Sequence, residues 1–156
     1  MSRKLVVMTQ GFARKLNAKT GVSLLRYRPE QVVAVLDSEE AGQTAQAVFG
    51  VGGDIPVVAS LDEVKDADTL LLGIATPGGT LPESMRSTIL DAIGRGLNVE
   101  AGLHQFLCND PEIKHAAYEA GVTLNDVRKN DERDVSQRKD INDTCLRLHT
   151  VGHDCS

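Results

Sequence analysis

The sequence predicts an α/β fold in which a parallel, doubly wound sheet carries helices on both faces, a three-layer α/β/α arrangement. Short apolar runs of the kind that form buried parallel strands alternate with stretches of helical spacing, and turn residues stand at most of the boundaries. The order is a repeated β-α-β, and right-handed crossovers then place helices on both faces of one sheet.

The first half of the chain supplies three predicted strands, at residues 5–9, 32–36 and 55–58. Helical spacing over residues 18–27 predicts a helix that Pro29 ends, and residues 39–49 predict a second helix closed by Gly50. Ser60 and Glu63 form a capping-box pattern, which indicates the start of a small helix.

The second half begins with an apolar run at residues 69–75, followed by Thr76-Pro77-Gly78-Gly79-Thr80-Leu81-Pro82 and a predicted helix at residues 83–96. A strand at 97–101, a helix at 111–120 ended by Gly121, and a strand at 122–127 complete the predicted sheet. A strand, a glycine loop and a helix N-terminus leave backbone N–H groups free to face an anion. Loops of this kind bind phosphorylated ligands at the carboxyl ends of parallel strands.

Composition argues against several classes of protein. The 156 residues carry a net charge of -5 with both signs interspersed, and three Phe, two Tyr and no Trp offer little for base stacking, so we expect no nucleic-acid partner. Three cysteines without C-x-x-C spacing predict free thiols and a cytoplasmic location. The first apolar run is too short for a signal peptide or a membrane span, so no membrane partner is expected.

The domain organisation is predicted from a change in composition near Asp126. Eleven of the eighteen residues at 126–143 are charged, which is typical of a linker rather than of a packed core. We therefore expect a nucleotide- or CoA-binding type of domain at residues 1–128 and a charged linker at 129–145. Residues 146–156 read as the first strand and the start of a truncated further domain.

The first predicted strand–helix connection holds Gly11 but lacks the G-x-G-x-x-G pattern of dinucleotide-binding folds, which weakens a dehydrogenase interpretation. Asp37 and Ser38 follow the second strand. Asp37 stands where a carboxylate could accept hydrogen bonds from a ribose, although an ordinary helix cap is the more frequent role for such a residue.

The loop after the fourth predicted strand is the strongest candidate for ligand contact, and its positive-φ glycines would also suit a plain tight turn. Its candidate residues are Ala75, Thr76, Pro77, Gly78 and Gly79. His104 follows the next strand and is expected at the same edge, as a general base, a ligand contact or an ordinary loop histidine. His104 and Cys108 lack a second pair of ligands, so no metal is predicted.

Several segments in order resemble a family of bacterial and archaeal two-domain proteins, long known as a domain of unknown function, which includes the DgcN-type D-glutamate N-acetyltransferases. The segments that carry the resemblance are Ala18-Lys19-Thr20-Gly21, Leu25-Arg26-Tyr27-Arg28-Pro29, Val35-Leu36-Asp37-Ser38, Gly73 to Pro82, Gly102-Leu103-His104-Gln105-Phe106-Leu107 and Asp126-Val127-Arg128. In that family a Rossmann-like domain precedes a P-loop domain. Val151-Gly152-His153-Asp154-Cys155-Ser156 is similar to the first half of the phosphate loop, which makes Gly152 a further candidate ligand residue.

The resemblance implies acetyl transfer from acetyl-CoA to a D-amino acid in a complete protein, with the missing P-loop domain as partner. Acetyl-CoA or an adenine nucleotide is then the expected cofactor, with a small molecule as the other ligand. The 156 residues alone are expected to be an inactive fragment. The strand, Ala-Thr-Pro-Gly-Gly loop and Gly-Leu-His pattern is also similar to the CoA-binding domains of succinyl-CoA synthetases.

Two alternatives stay open at this point: an NAD(P)-binding domain of an epimerase- or dehydrogenase-like protein, and a non-catalytic scaffold. The oligomeric state is also open, a homo-oligomer included.

Overall fold

The computed structural model describes residues 3–14, 16–129 and 144. Six strands form one sheet: β1 (Leu5–Met8), β2 (Val32–Leu36), β3 (Val57–Val58), β4 (Thr69–Leu72), β5 (Asn98–Ala101) and β6 (Leu124–Asp126). Four helices connect them: α1 (Lys19–Tyr27), α2 (Ala45–Phe49), α3 (Glu83–Gly94) and α4 (Pro111–Ala120). The charged linker and the last strand expected beyond Lys129 lie outside the described residues, apart from Thr144, and so does Gly152.

The strands run in the order β3-β2-β1-β4-β5-β6, and every neighbouring pair is parallel. The chain moves from β1 towards one edge and then crosses back to continue from β4 towards the other. This is the doubly wound topology of Rossmann-like domains, so the fold class predicted from the sequence is confirmed. Strand order reverses between β1 and β4, where a crevice is expected at the carboxyl ends of these strands.

Two apolar clusters hold the layers together because side chains alternate between the faces of the sheet. Val6 and Met8 of β1 belong to the cluster beneath α3 and α4, and Val7 belongs to the cluster beneath α1 and α2. The helices contribute their inward faces to these clusters, with Met85, Ile89 and Ile93 of α3 on one side and Leu25 of α1 on the other. Helices therefore cover both faces, which gives the three layers.

Several predicted elements are shorter than the sequence pattern indicated, and the second helix differs most. The second helix spans Ala45–Phe49 rather than residues 39–49. Gly42 has a positive φ, and backbone bonds join Gly42 N–H to the Val57 carbonyl and Val57 N–H to the Gln43 carbonyl. This segment therefore covers the outer edge of β3 instead of continuing a helix, because tertiary pairing outweighs local propensity.

The fourth strand ends at Leu72 rather than at residue 75, and the next residue, Gly73, contacts α1. Gly73 accepts a hydrogen bond from Gly21 N–H at 2.8 Å. A β-carbon on Gly73 would lie 2.5 Å from Val7 Cγ1 and 3.2 Å from the Gly21 Cα. Two glycines thus let the start of α1 approach the sheet closely, which fixes the connection that leads into the carboxyl edge.

Among the described residues, no helix combines the length and the apolar character that crossing a membrane requires.

Candidate functional site at the carboxyl edge of the sheet

The candidate residues lie after the carboxyl ends of four adjacent strands, β2, β1, β4 and β5. They form two groups that make direct contacts. Gly11 and Asp37 meet across the ends of β1 and β2, and Gly79 and His104 meet across the ends of β4 and β5. The sequence prediction of a shared edge is therefore matched by the geometry, and a role in ligand binding stays a prediction.

Gly79 and His104 form the tightest contact between these loops. Gly79 is buried with a φ of 63°, and a β-carbon there would lie 2.3 Å from His104 Cδ2. The Gly79 carbonyl accepts hydrogen bonds from His104 N–H at 2.9 Å and from Gln105 N–H at 3.0 Å. The side chain of Gln105 accepts one from Leu81 N–H at 2.9 Å. Gly79 and Leu81 of one loop are thus fixed against His104 and Gln105 of the next loop.

His104 is exposed, and the ring carbon facing Gly79 is its Cδ2. Contact with the glycine therefore holds one side of the imidazole while the side chain stays open to solvent. An imidazole held in this way can donate or accept a hydrogen bond or a proton through its ring nitrogens. Both chemical roles expected for His104 are compatible with this position.

The outer part of the β4 loop is open. Ala75, Pro77 and Gly78 are exposed, and nothing lies within 4 Å of the position that a Gly78 β-carbon would take. Gly78 has a φ of 70°, which residues with a side chain rarely adopt. Thr76 shapes the turn, because its hydroxyl donates to the Thr80 carbonyl at 2.6 Å. The loop thus has a fixed base at Gly79 and an accessible apex at Gly78.

Asp37 is fully buried, and its carboxylate accepts three hydrogen bonds from the protein. One oxygen accepts from the Thr9 hydroxyl at 2.8 Å and from Gly11 N–H at 3.0 Å, and the other accepts from Glu39 N–H at 3.1 Å. This geometry favours the capping role over ribose binding, since both oxygens already hold the β1 and β2 loops together. Ser38 is exposed and accepts from the Gln10 amide at 2.7 Å.

Charge is unevenly distributed along this edge. The loop after β2 carries Asp37, Glu39 and Glu40, of which Glu40 is paired with Arg14. That pairing lowers the pKa of Glu40 through the hydrogen bond from the guanidinium. The opposite end of the edge carries Arg128 and Lys129 after β6. The β6 side of this edge thus carries exposed basic side chains.

The basic end is itself well ordered by hydrogen bonds. Arg128 donates to the Gly102 carbonyl at 2.7 Å, and buried Asp126 accepts from Leu107 N–H and Cys108 N–H at 2.8 and 3.0 Å. Lys129 donates to Cys108 Sγ at 3.1 Å, and this hydrogen bond raises the pKa of the lysine. The residues after β6 thus position the β5 loop that carries His104.

Within the part of the chain that the structure describes, no group of three or more His, Cys, Asp or Glu side chains is placed to hold a metal ion. A concavity of about 270 Å³ lies at the opposite, amino-terminal side of the strands. Its polar groups are paired with one another: Glu100 accepts from Arg3 and from Asn125, and Asn98 accepts from Thr123 N–H. Because its polar groups satisfy one another and it lies away from the glycine loop, we assign the candidate site to the carboxyl edge.

Sequence reasoning missed two features of the site. The position of the Glu39 carboxylate beside Gly11 depends on how two loops meet, and no local pattern encodes it. The close approach of α1 through Gly21 and Gly73 did leave a signal, since a glycine inside a helix is unfavourable and indicates close backbone packing.

Comparisons with known proteins agree with this description. A Rossmann-like domain of unknown function, DUF1611_N, matches residues 38–130. A D-glutamate N-acetyltransferase from Tritonibacter scottomollicae is 28% identical over 116 residues, which are 72% of this chain and 32% of that protein. A protein of the same name from a Pseudoalteromonas species is 34% identical over 90 residues, which are 58% of this chain and 27% of that protein.

Among solved structures, a DUF1611 family protein from Anabaena variabilis matches with a TM-score of 0.73 and 30% identity, over 82% of this chain and 38% of that one. This chain spans about a third of the length of the relatives it matches. The family model covers more than half of the residues. The chain therefore belongs to the DUF1611_N family of Rossmann-like domains.

Proposed function

We propose that this domain is the acetyl-CoA-binding part of a D-glutamate N-acetyltransferase-type protein, with the ligand at the carboxyl edge between the β4 and β5 loops. The observation that carries the proposal is the Gly79–His104 contact, which fixes the base of the glycine loop and leaves Gly78 open beside an exposed histidine. An open backbone approach at a positive-φ glycine suits a phosphate group.

The distribution of charge supports the same position for the ligand, on the β4–β6 side of the edge. Arg128 and Lys129 lie after β6, beside the buried and hydrogen-bonded Asp126, whereas the loop after β2 carries Asp37, Glu39 and Glu40. The phosphates of CoA are anions, and clefts of one charge sign concentrate ligands of the opposite sign. The curated relatives carry the name of an enzyme that acetylates D-glutamate, which supplies the acceptor class for the proposal.

In the proposed reaction the amine nitrogen of D-glutamate attacks the thioester carbonyl of acetyl-CoA. A carbon–nitrogen bond forms, the carbon–sulfur bond breaks, CoA leaves as the thiol, and the amine loses a proton. His104 is the candidate base for that proton, because its exposed ring lies at this edge and an imidazole nitrogen can accept a proton.

We expect the 156 residues alone to bind the ligand without turnover. The relatives are more than twice as long, and ligand sites often lie between domains, where each side contributes to orientation.

The test is calorimetric titration of the chain with acetyl-CoA, before and after Gly78→Val. Gly121→Val is the matched control. Gly121 has a φ of 67° and equally open space around it, but it ends α4 at the opposite, amino-terminal edge of the sheet. Gly78→Val is expected to weaken binding at least tenfold, and Gly121→Val less than twofold. Equal effects of the two substitutions, or no binding by the unmodified chain, would refute the proposal.

A further inference from the structure

The loop after β1, where dinucleotide-binding domains place a diphosphate, is occupied here by a carboxylate. Gly11 has a φ of 74°, and a β-carbon there would lie 3.1 Å from Glu39 Oε1. In Rossmann domains a glycine of this turn lets the backbone approach the pyrophosphate. In this chain the carboxylate of Glu39 lies next to the space that the glycine leaves open.

The backbone donors of this turn are also engaged. Gly11 N–H donates to Asp37 at 3.0 Å, and Gly21 N–H, in the first turn of α1, donates to the Gly73 carbonyl at 2.8 Å. These are the types of N–H group that hold a phosphate at a helix N-terminus. A diphosphate at the β1 turn would therefore meet negative charge and find these two donors in use.

Among the described residues, Glu39 carries the surface charge of this turn that has no oppositely charged partner. Glu40 is neutralised by Arg14, which donates two hydrogen bonds to it, and Asp37 is buried beneath three donors. Glu39 is exposed, and its backbone N–H is held by Asp37, which directs the side chain across Gly11. The carboxylate of Glu39 thus stands at the entrance to the turn.

We propose that Glu39 is a specificity-determining residue that excludes the diphosphate of a dinucleotide from the β1 turn, so that phosphates are taken on the Gly78 side of the edge. Only the second part of this inference, the position of the bound phosphates, rests on the proposed function. The side chain of Glu39 would then be the feature that distinguishes this chain from dinucleotide-binding domains of the same topology.

The experiment measures NADH binding by fluorescence for the unmodified chain, Glu39→Gln and Glu39→Lys, at low ionic strength, where surface charges are least screened. Removing one charge near a phosphate is expected to raise the affinity about threefold, and reversing it about tenfold. Glu119→Lys is the control, because Glu119 is exposed on α4 and this substitution changes the net charge by the same amount as Glu39→Lys. Its expected effect is below twofold.

Tight NADH binding by the unmodified chain would overturn the proposal, as would no gain in Glu39→Lys or an equal gain in Glu119→Lys. Acetyl-CoA titrations of the same variants separate this result from the proposed function. If acetyl-CoA fails to bind while Glu39→Lys gains NADH affinity, the proposed function is wrong and the role of Glu39 stands. If acetyl-CoA binds and no variant gains NADH affinity, the proposed function stands and the role of Glu39 is wrong.

Discussion

The side chain of His104 packs on the backbone of Gly79 so closely that no side chain fits at position 79: an added β-carbon would lie 2.3 Å from His104 Cδ2 and 2.7 Å from both its Cγ and its Cβ. Two loops from adjacent parallel strands are thereby held in one arrangement. The same glycine carbonyl accepts the backbone N–H of His104. The position of the candidate base and the shape of the glycine loop therefore depend on each other.

Gly79→Ala is expected to destabilise the domain by about 2–3 kcal/mol, because it combines overpacking with a left-handed backbone conformation. Gly53→Ala is the control, since Gly53 has a φ of 58° and open space around it, and should cost about 1 kcal/mol. Urea unfolding measures both. Adding His104→Gly to Gly79→Ala should recover much of the loss, and strict additivity would contradict the contact.

Gln105→Ala removes the acceptor for Leu81 N–H at the far end of the glycine loop. Because the group is exposed, we expect a loss of stability below about 1 kcal/mol. The affinity for acetyl-CoA should fall about fivefold, since the loop must be ordered on binding. Calorimetry checks this, with exposed Gln46→Ala on α2 as control. Unchanged affinity in Gln105→Ala would show that the loop needs no support from this side chain.

Asp37→Ala leaves the buried Thr9 hydroxyl and Gly11 N–H without their acceptor. Unpaired buried groups are costly, so we expect a loss of about 2–4 kcal/mol in the free energy of unfolding. Ser38→Ala, at the neighbouring exposed position, should cost less than about 1 kcal/mol. Comparable losses in the two variants, measured by urea unfolding at neutral pH, would contradict the role of Asp37 in joining the β1 and β2 loops.

Asp110 connects α3 and α4, because it caps α4 and accepts two hydrogen bonds from Arg86. The hydrogen bonds from Arg86 lower the pKa of Asp110 to about 2. A carboxylate with a lowered pKa in the folded state stabilises the protein above its unfolded pKa and loses this contribution as the pH falls towards the folded value.

Asp110→Asn should therefore be less stable than the unmodified chain at pH 7, and the difference should shrink between about pH 4 and pH 2. Asp91→Asn is a suitable comparison, because Asp91 pairs with Arg95 within one helix at the surface, where such pairs contribute little. A difference for Asp110→Asn that stays constant down to pH 2 would contradict the ion pair.

The sequence predicted the architecture well where the pattern is local. The strand at Val32–Leu36 and the helix at Pro111–Ala120 with its Gly121 end appear at the predicted bounds, because apolar continuity, proline and glycine determine them directly. The helix predicted at 39–49 was too long, since the pairing of residues 42–44 with β3 is a tertiary contact. At the site, parallel topology was enough to predict that His104 and the glycine loop share an edge. The contact of Glu39 with Gly11 could not be predicted in that way.

The most direct test of the central claim is an amide NMR titration of the chain with acetyl-CoA. We expect the largest shift changes at Gly78, Gly79 and His104, smaller ones at the basic end near Arg128, and little change at Gly11. Residues of the concavity on the opposite side, Asn98 and Thr123, should stay unchanged. Shift changes centred on Gly11 and Asp37, or on that concavity, would contradict a ligand site between the β4 and β5 loops.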